Sequence, residues 1–158
     1  MREEAGFGSG LVAGTFDLAH PGHVLLIQHC ARMCSTLFVA LQTDPTIDRP
    51  EKNKPVETTF ERYTRLSAMT GVFTVIPYDT ERDLDNMLRS RLFDVRFVGD
   101  DHQEKLSHVE ACSVAGVETV IVPRLHDWSS SALRCRVLDA FESEVSSKVT
   151  AKMSGVSD

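Results

Sequence analysis

The sequence predicts an α/β protein: a doubly wound parallel sheet of five strands with helices on both faces. Three observations carry that prediction. Short apolar runs alternate with helix-patterned segments along the chain. Each crossover between successive runs is long enough for a right-handed strand–helix–strand unit. The polar residues suited to chemistry fall in the loops after the apolar runs, where such sheets place their ligands.

The elements follow in order. Residues 1–9 read as a loose leader and Leu11–Ala13 as the first strand. Pro21 suits the first turn of a helix, where its missing N–H would lack a partner anyway. That helix runs to Met33, with Val24, Ile27, Ala31 and Cys34 on one face. Ser35–Gln42 is a nearly continuous apolar run, typical of a buried parallel strand. Thr43–Glu57 is a long polar loop bearing Arg49, Lys52 and Lys54, and loops of that size inside a domain are often functional. Thr58 with Glu61 fits a capping box, so a second helix runs from there to Thr70 and stops at Gly71. Val72–Pro77 is strand three, and Thr80 with Asp83 caps a helix reaching Leu92. Asp94–Val98 is strand four, ending in Gly99-Asp100-Asp101-His102, and a helix covers Ser107–Ala115. Val117–Val122 is strand five, Pro123–Trp128 a loop, and a last helix runs from Ser129 to Val145 before a polar tail at 146–158.

Composition narrows the function. The chain has 158 residues and a formal charge of −6. With no long basic run, that balance argues against nucleic acid as a partner and leaves a nucleotide open. No stretch approaches the ~18 apolar residues of a membrane span, and the N-terminus lacks the apolar centre of a signal peptide. The expected location is cytoplasmic, with no membrane partner. Cys30, Cys34, Cys112 and Cys135 form no CxxC pair, so free thiols are expected, the first two as core packing.

The densest signal is Gly14–His23, GTFDLAHPGH. His20 and His23, three residues apart at a helix start, project to one side. A helix N-terminus favours an anion, and imidazoles there can stabilise charge developing on a phosphoryl group. Gly14 and Gly22 leave room for a phosphate to approach the backbone. The same residues also fit an ordinary turn, or two ligands of a metal site whose other ligands sit at no obvious spacing. Ser129-Ser130-Ser131 opens a second helix, with Arg124 before it and Arg134 within it; this fits a phosphate site or a plain N-cap. Lys52, Lys54 and Arg62 add positive charge, as a phosphate clamp or as a solvated patch. Asp100, Asp101 and His102 fit contacts to a sugar, a base or hydrated magnesium, or a polar turn. Trp128 fits a stacking platform or a cover for the core.

Together these segments resemble the small cytidylyltransferases of the nucleotidyltransferase α/β-phosphodiesterase superfamily, especially glycerol-3-phosphate cytidylyltransferase. Gly14–His23 is similar to that family's GTFDxxHxGH signature, Lys52–Arg62 to its lysine loop and ER helix, Val98–Asp101 (VGDD) to its strand-four end, and Arg124–Arg134 (RLHDWSSSALR) to its RTEGISTTxIR segment. The resemblance covers residues 10–140. It implies a Rossmann-like nucleotidyltransferase domain over 10–145, transferring CMP from CTP to a small phosphorylated acceptor such as glycerol 3-phosphate and releasing pyrophosphate. Mg2+ would be carried by the triphosphate, with no protein-held metal, and the enzyme would be a homodimer paired near strand three.

The resemblance assigns catalysis to His20, His23, Lys54 and Arg124. It assigns nucleotide contacts to Gly14, Thr15, Phe16, Asp17, Gly22, Lys52, Asp100, Ser129, Ser130 and Ser131, with either lysine fitting the triphosphate. Arg62, Asp79 and Trp128 are implied at the acceptor. Leu125, Asp127 and Trp128 depart from the family's threonine, glycine and isoleucine, and Asp79 replaces an acceptor lysine. These departures leave the transfer chemistry in place and bear on the acceptor. Two rivals stand beside this expectation: an adenylyltransferase acting on a sugar, pantetheine or flavin phosphate, and a non-catalytic nucleotide-binding regulator.

Overall fold

The computed structural model describes residues 6–100, 107–124 and 126–154. Its elements are β1 (Phe7–Gly14), α1 (Pro21–Met33), β2 (Cys34–Gln42), a 3-10 turn (Pro45–Ile47), α2 (Thr59–Ser67), β3 (Val72–Tyr78), α3 (Glu81–Arg89), β4 (Val95–Gly99), α4 (Val109–Ala115), β5 (Glu118–Val122) and α5 (Ser130–Ser154). The strands form one sheet in the order β3-β2-β1-β4-β5, every pairing parallel. Strand order reverses between β1 and β4, so the loops leaving those two strands diverge and open a crevice at their carboxyl ends.

Period-two alternation divides the core between the two faces. Val12 packs with Ile27 and Cys30 of α1 and Leu66 of α2. Its neighbour Leu11 belongs to a second cluster with Leu84 and Leu88 of α3 and Ala111 of α4. Leu11 and Val12 are 0% and 1% exposed, which explains the continuous apolar reading of the central strands. Cys30, Cys34 and Cys112 are buried free thiols, and Cys135 is a free thiol on the surface. Burial, with the neighbouring Cys34, pushes the Cys30 thiol up to about 12. Among the described residues no helix is long and apolar enough to cross a membrane.

Several boundaries move. The first strand starts at Phe7, inside the expected leader, because Phe7 and Ser9 take register with Cys34 and Thr36 of β2 and Asp94 accepts from the Ser9 amide at 2.7 Å. The second helix ends at Ser67, where the Ala68 amide donates back to the Arg65 and Leu66 carbonyls. The third ends at Arg89, before Arg91 turns at φ 60°. The last helix passes Val145 and continues to Ser154 into the expected tail.

One buried side chain ties the strand ends together. Arg62 of α2 is 1% exposed. Its Nε donates to the Glu57 carbonyl at 3.1 Å, and Nη1 to the carbonyls of Thr15 at 2.9 Å and Gln42 at 2.8 Å. Nη2 donates to the Thr43 carbonyl at 2.6 Å and the Thr59 hydroxyl at 3.3 Å. All the N–H donors of a guanidinium are thereby used. The expectation that Arg62 contacts the acceptor is corrected: it holds the ends of β1 and β2 together and has no donor left for a ligand. Replacing it leaves several buried carbonyls unpaired, so Arg62→Met should lower stability by about 3–5 kcal/mol. Equilibrium urea unfolding measures this, and a midpoint close to wild type would contradict the assignment.

Candidate active site

The turn from β1 into α1 is strained and pinned. Phe16 and Leu18 sit at φ 52° and 48°, the left-handed region, which costs a non-glycine residue about 1–3 kcal/mol. Neighbours hold it there. The Leu18 amide donates to Glu57 Oε2 at 2.7 Å. The Asp17 carboxylate accepts from the Val56 and Glu57 amides at 3.0 and 2.9 Å, and from Arg134 Nη2 of α5. Ser130 Oγ donates to the Asp17 carbonyl at 2.7 Å. Burial pushes the Asp17 carboxyl up, but the Glu57 and Val56 amides and the Arg134 guanidinium outweigh it and hold it below its ordinary value. Asp17 is therefore a joint between three segments: its carboxylate is taken up by protein groups, while the residue still lines the smaller cavity described below.

The two glycines of this turn sit against side chains. A Cβ on Gly14 would come within 3.2 Å of the buried Phe16 ring, and one on Gly22 would strike the His126 imidazole and come within 2.9 Å of His20 Cε1. Both glycines make room for side chains of the site, and each lines a cavity, Gly14 the smaller and Gly22 the larger of the two described below.

His20 is the N-cap of α1 and His23 lies in its first turn. The Gly22 amide donates to His20 Nδ1 at 3.1 Å, which fixes the tautomer with its proton on Nε2. The two rings stack with centroids 3.9 Å apart, and His23 meets the Phe16 ring edge-on at 5.4 Å. Burial first, and then the charges of His126 and Arg124, push the His20 imidazole below its ordinary value. At neutral pH it is an uncharged donor through Nε2. His126 was not singled out by the sequence reasoning, because it lies in an irregular loop with no periodicity to mark it. Its ring lies 5.2 Å from that of Trp128.

The remaining residues divide. Ser129 Oγ accepts from the Ala132 amide at 3.0 Å as an N-cap, and Ser129 also lines the larger of the two cavities described below. Arg124 donates from Nε to the His126 carbonyl at 3.1 Å and from Nη2 to that of Trp128, folding the loop that carries both rings. Lys52 lines a cavity, whereas Lys54 faces Asp44 at 3.8 Å and lines neither cavity described below. The Asp79 carboxylate accepts from the Thr43 hydroxyl, and the Asp100 amide donates to the Val122 carbonyl at 3.1 Å; neither residue lines those cavities. Asp101, His102 and Leu125 lie outside the described residues.

Two cavities flank the histidines. The smaller, about 330 Å³, lies over the ends of β1 and β2 and includes Thr15, Gln42, Arg49, Lys52, Glu81 and Arg96. The larger, about 610 Å³, lies towards β5 and includes His20, Arg124, His126 and Trp128. His23, Gly99, Ser130 and Ser131 line both. Two ligands can thus meet at the paired imidazoles and the start of α5. Sequence reasoning also passed over Glu81 and Arg96, which sit where a helix start and a buried strand need no functional explanation. Among the described residues no group of three or more His, Cys, Asp or Glu side chains could hold a metal ion.

The His20 cap gives a pH prediction. A folded-state imidazole below its unfolded value of about 6.5 makes the unfolded chain bind more protons as pH falls. This contribution to stability is complete above about pH 6.5 and is lost as pH falls through the lowered folded value. In thermal melts, His20→Asn should flatten the decline below pH 6.5; an unchanged pH profile in the variant would refute the cap.

Comparisons with known proteins bear on the family and the fold. The family model described as cytidylyltransferase-like matches residues 11–147. The bifunctional protein HldE of Hyphomonas neptunium is 32% identical over 134 residues, 84% of this chain and 27% of the relative. HldE of Caulobacter sp. (strain K31) is 35% identical over 98 residues, 61% of this chain and 20% of the relative. The chain thus spans about a quarter of the length of these curated relatives. Among solved structures, a lipopolysaccharide core biosynthesis protein from Thermoplasma volcanium GSS1 superposes with a TM-score of 0.63 at 20% identity, covering 78% of this chain and all of that one. Pantothenate synthetase from Thermus thermophilus gives 0.56 at 18% identity, covering 76% of this chain and 57% of that one. These two likenesses show the Rossmann-like fold. With the family model spanning most of its length, the chain belongs to the cytidylyltransferase-like family of the nucleotidyltransferase superfamily.

Proposed function

We propose that this chain is a nucleotidyltransferase. It moves a nucleoside monophosphate from a magnesium-bound nucleoside triphosphate to a phosphorylated small-molecule acceptor. The observation that carries the reading is the stacked His20–His23 pair at a helix N-terminus where two cavities meet.

On this reading the nucleotide takes the larger cavity, with its base against Trp128 and its phosphates towards His20, His23 and the start of α5. The acceptor takes the smaller one, with Lys52 at its phosphate. An acceptor phosphate oxygen attacks the α-phosphorus in line. The new P–O bond forms as the α–β bridging bond breaks, and the electron pair leaves on pyrophosphate. No protein nucleophile takes part; positioning and charge stabilisation supply the rate. His20 Nε2–H is poised to donate to a phosphoryl oxygen, and the positive ends of α1 and α5 add to it.

CTP is the favoured nucleotide, supported by the family model and by the Gly99-Asp100 run. An adenylyl transfer draws on a different observation: the relatives reported above carry the name HldE, not that of a cytidylyltransferase. The proposal includes a homodimer, supported by the edge position of β3 and by Phe60 and Phe73, 77% and 71% exposed.

Pyrophosphate release with each of four nucleoside triphosphates, magnesium and a panel of phosphorylated acceptors tests the reading. Release with CTP supports cytidylyl transfer, and release with ATP alone supports the adenylyl alternative. Tight nucleotide binding without release in any combination would favour the regulator. His20→Ala and His23→Ala should each lower kcat by about 10²–10³ with nucleotide KM little changed. Wild-type turnover in either variant would defeat the mechanism.

A further inference from the structure

The smaller cavity has a charge pattern that the transfer chemistry does not require. Its cationic lining residues are Arg49, Lys52, Arg96 and Arg134, and its carboxylates are Asp17 and Glu81. Asp17 is fully engaged by two amides and Arg134. Glu81 is not. Its Oε1 accepts from Gln42 Nε2 at 3.0 Å and lies 2.7 Å from Arg49 Nη2, which fills that oxygen. Among the described residues its Oε2 faces only His108 Nε2, at 3.0 Å. A carboxylate accepts about four hydrogen bonds, so Oε2 has one more direction to offer.

His108 itself lies outside both cavities. Its side chain is 7% exposed, and its Nδ1 faces Asp85 Oδ1 at 3.3 Å. It enters α4 at φ 59°, a strained conformation for a non-glycine residue. The Asp48 carboxylate accepts from the Glu81 amide, fixing the same residue from the loop side.

We propose that Glu81 is a specificity-determining residue of the smaller cavity, accepting a hydrogen bond from a hydroxyl of the acceptor, and that His108 is a positioning residue that orients its carboxylate. The inference rests on the transfer reading above and adds the acceptor class. A group that only accepts requires a donor. The surrounding cations repel an ammonium head and attract a phosphate. A hydroxylated phosphate ester, a polyol or sugar phosphate, satisfies both demands; phosphocholine has no N–H or O–H for Glu81, and phosphoethanolamine has its donor only on an ammonium that the four neighbouring cations repel.

Steady-state kinetics with glycerol 3-phosphate, a hexose 1-phosphate, ethyl phosphate, phosphocholine and phosphoethanolamine test this. The wild type should prefer a hydroxylated ester. Glu81→Gln should raise the KM of the best hydroxylated acceptor about tenfold, leave kcat and nucleotide KM within about twofold, and leave the KM of hydroxyl-free ethyl phosphate unchanged. His108→Ala should raise the same acceptor KM with kcat retained, and His108→Gln, which keeps one N–H donor, should recover part of it. Should Glu81→Gln lose its fold in a thermal melt, Glu81→Asp is measured in its place, with the same split expected. An active wild type that prefers phosphocholine, or whose Glu81 variants keep the wild-type acceptor KM, overturns this inference alone. A wild type inactive with every acceptor and nucleotide overturns the transfer reading and this inference with it.

Discussion

The crevice depends on a guanidinium that never reaches it. Arg62 is buried beneath the carboxyl ends of β1 and β2, where the carbonyls of Thr15, Gln42 and Thr43 leave the sheet ladder and water cannot follow. Burying a cation is costly unless its donors are satisfied. Here each donor has an acceptor, and the charges of Asp17, Glu57 and Asp44 oppose the burial that pushes Arg62 below its ordinary value. The cation converts three diverging chain segments into one rim. Everything that lines the smaller cavity is measured from that rim.

A second layer is built on the first. Glu57 offers its carbonyl to Arg62, its carboxylate to Arg65 and the Leu18 amide, and its own amide to Asp17. Through these bonds the end of the long loop holds the strained turn at Phe16 and Leu18 and delivers His20 to its cap. The loop is fastened at its other end too, by Arg49 on Gln42 and Asp48 on the Glu81 amide. The exposed residues 50–54 between these anchors carry Lys52 to the mouth of the cavity. The loop thus has anchored ends and a solvated middle.

Both cavities are locally positive in their lining residues. Burial first, and then the neighbouring His126 and Arg124, push the His20 imidazole below its ordinary value, so it presents a directed N–H at the wall of the larger cavity. Cations line both cavities, Arg49, Lys52, Arg96 and Arg134 the smaller and Arg32 and Arg124 the larger, within a chain whose overall charge is −6. A net negative surface is thus compatible with anionic ligands, because local arrangement outweighs the total.

Much of this was legible in the residues. Periodicity and capping boxes at Thr58 and Thr80 carry local free energy, so the alternation of elements, both boxes and the i, i+3 pairing of His20 and His23 could be read directly. The same local logic misjudged Phe7–Ser9 and the end of α5, where pairing partners or continued helix outweigh composition. Residue type could not say which charges are spent. Arg62 and Asp17 look like ligands in sequence, and their polar atoms are taken up by groups brought from far along the chain. Gly14 and Gly22 look like open backbone in sequence, and the structure sets aromatic rings against both. Conversely, Glu81 reads as an ordinary first-turn acid until Gln42, Arg49 and His108 converge on it. The sequence by itself determined the elements, the histidine pair and the family to which they point, because those depend on neighbours in the chain. Only the tertiary structure decided which side chains face the cavities and which are consumed in building them, because a hydrogen bond is counted between atoms in space.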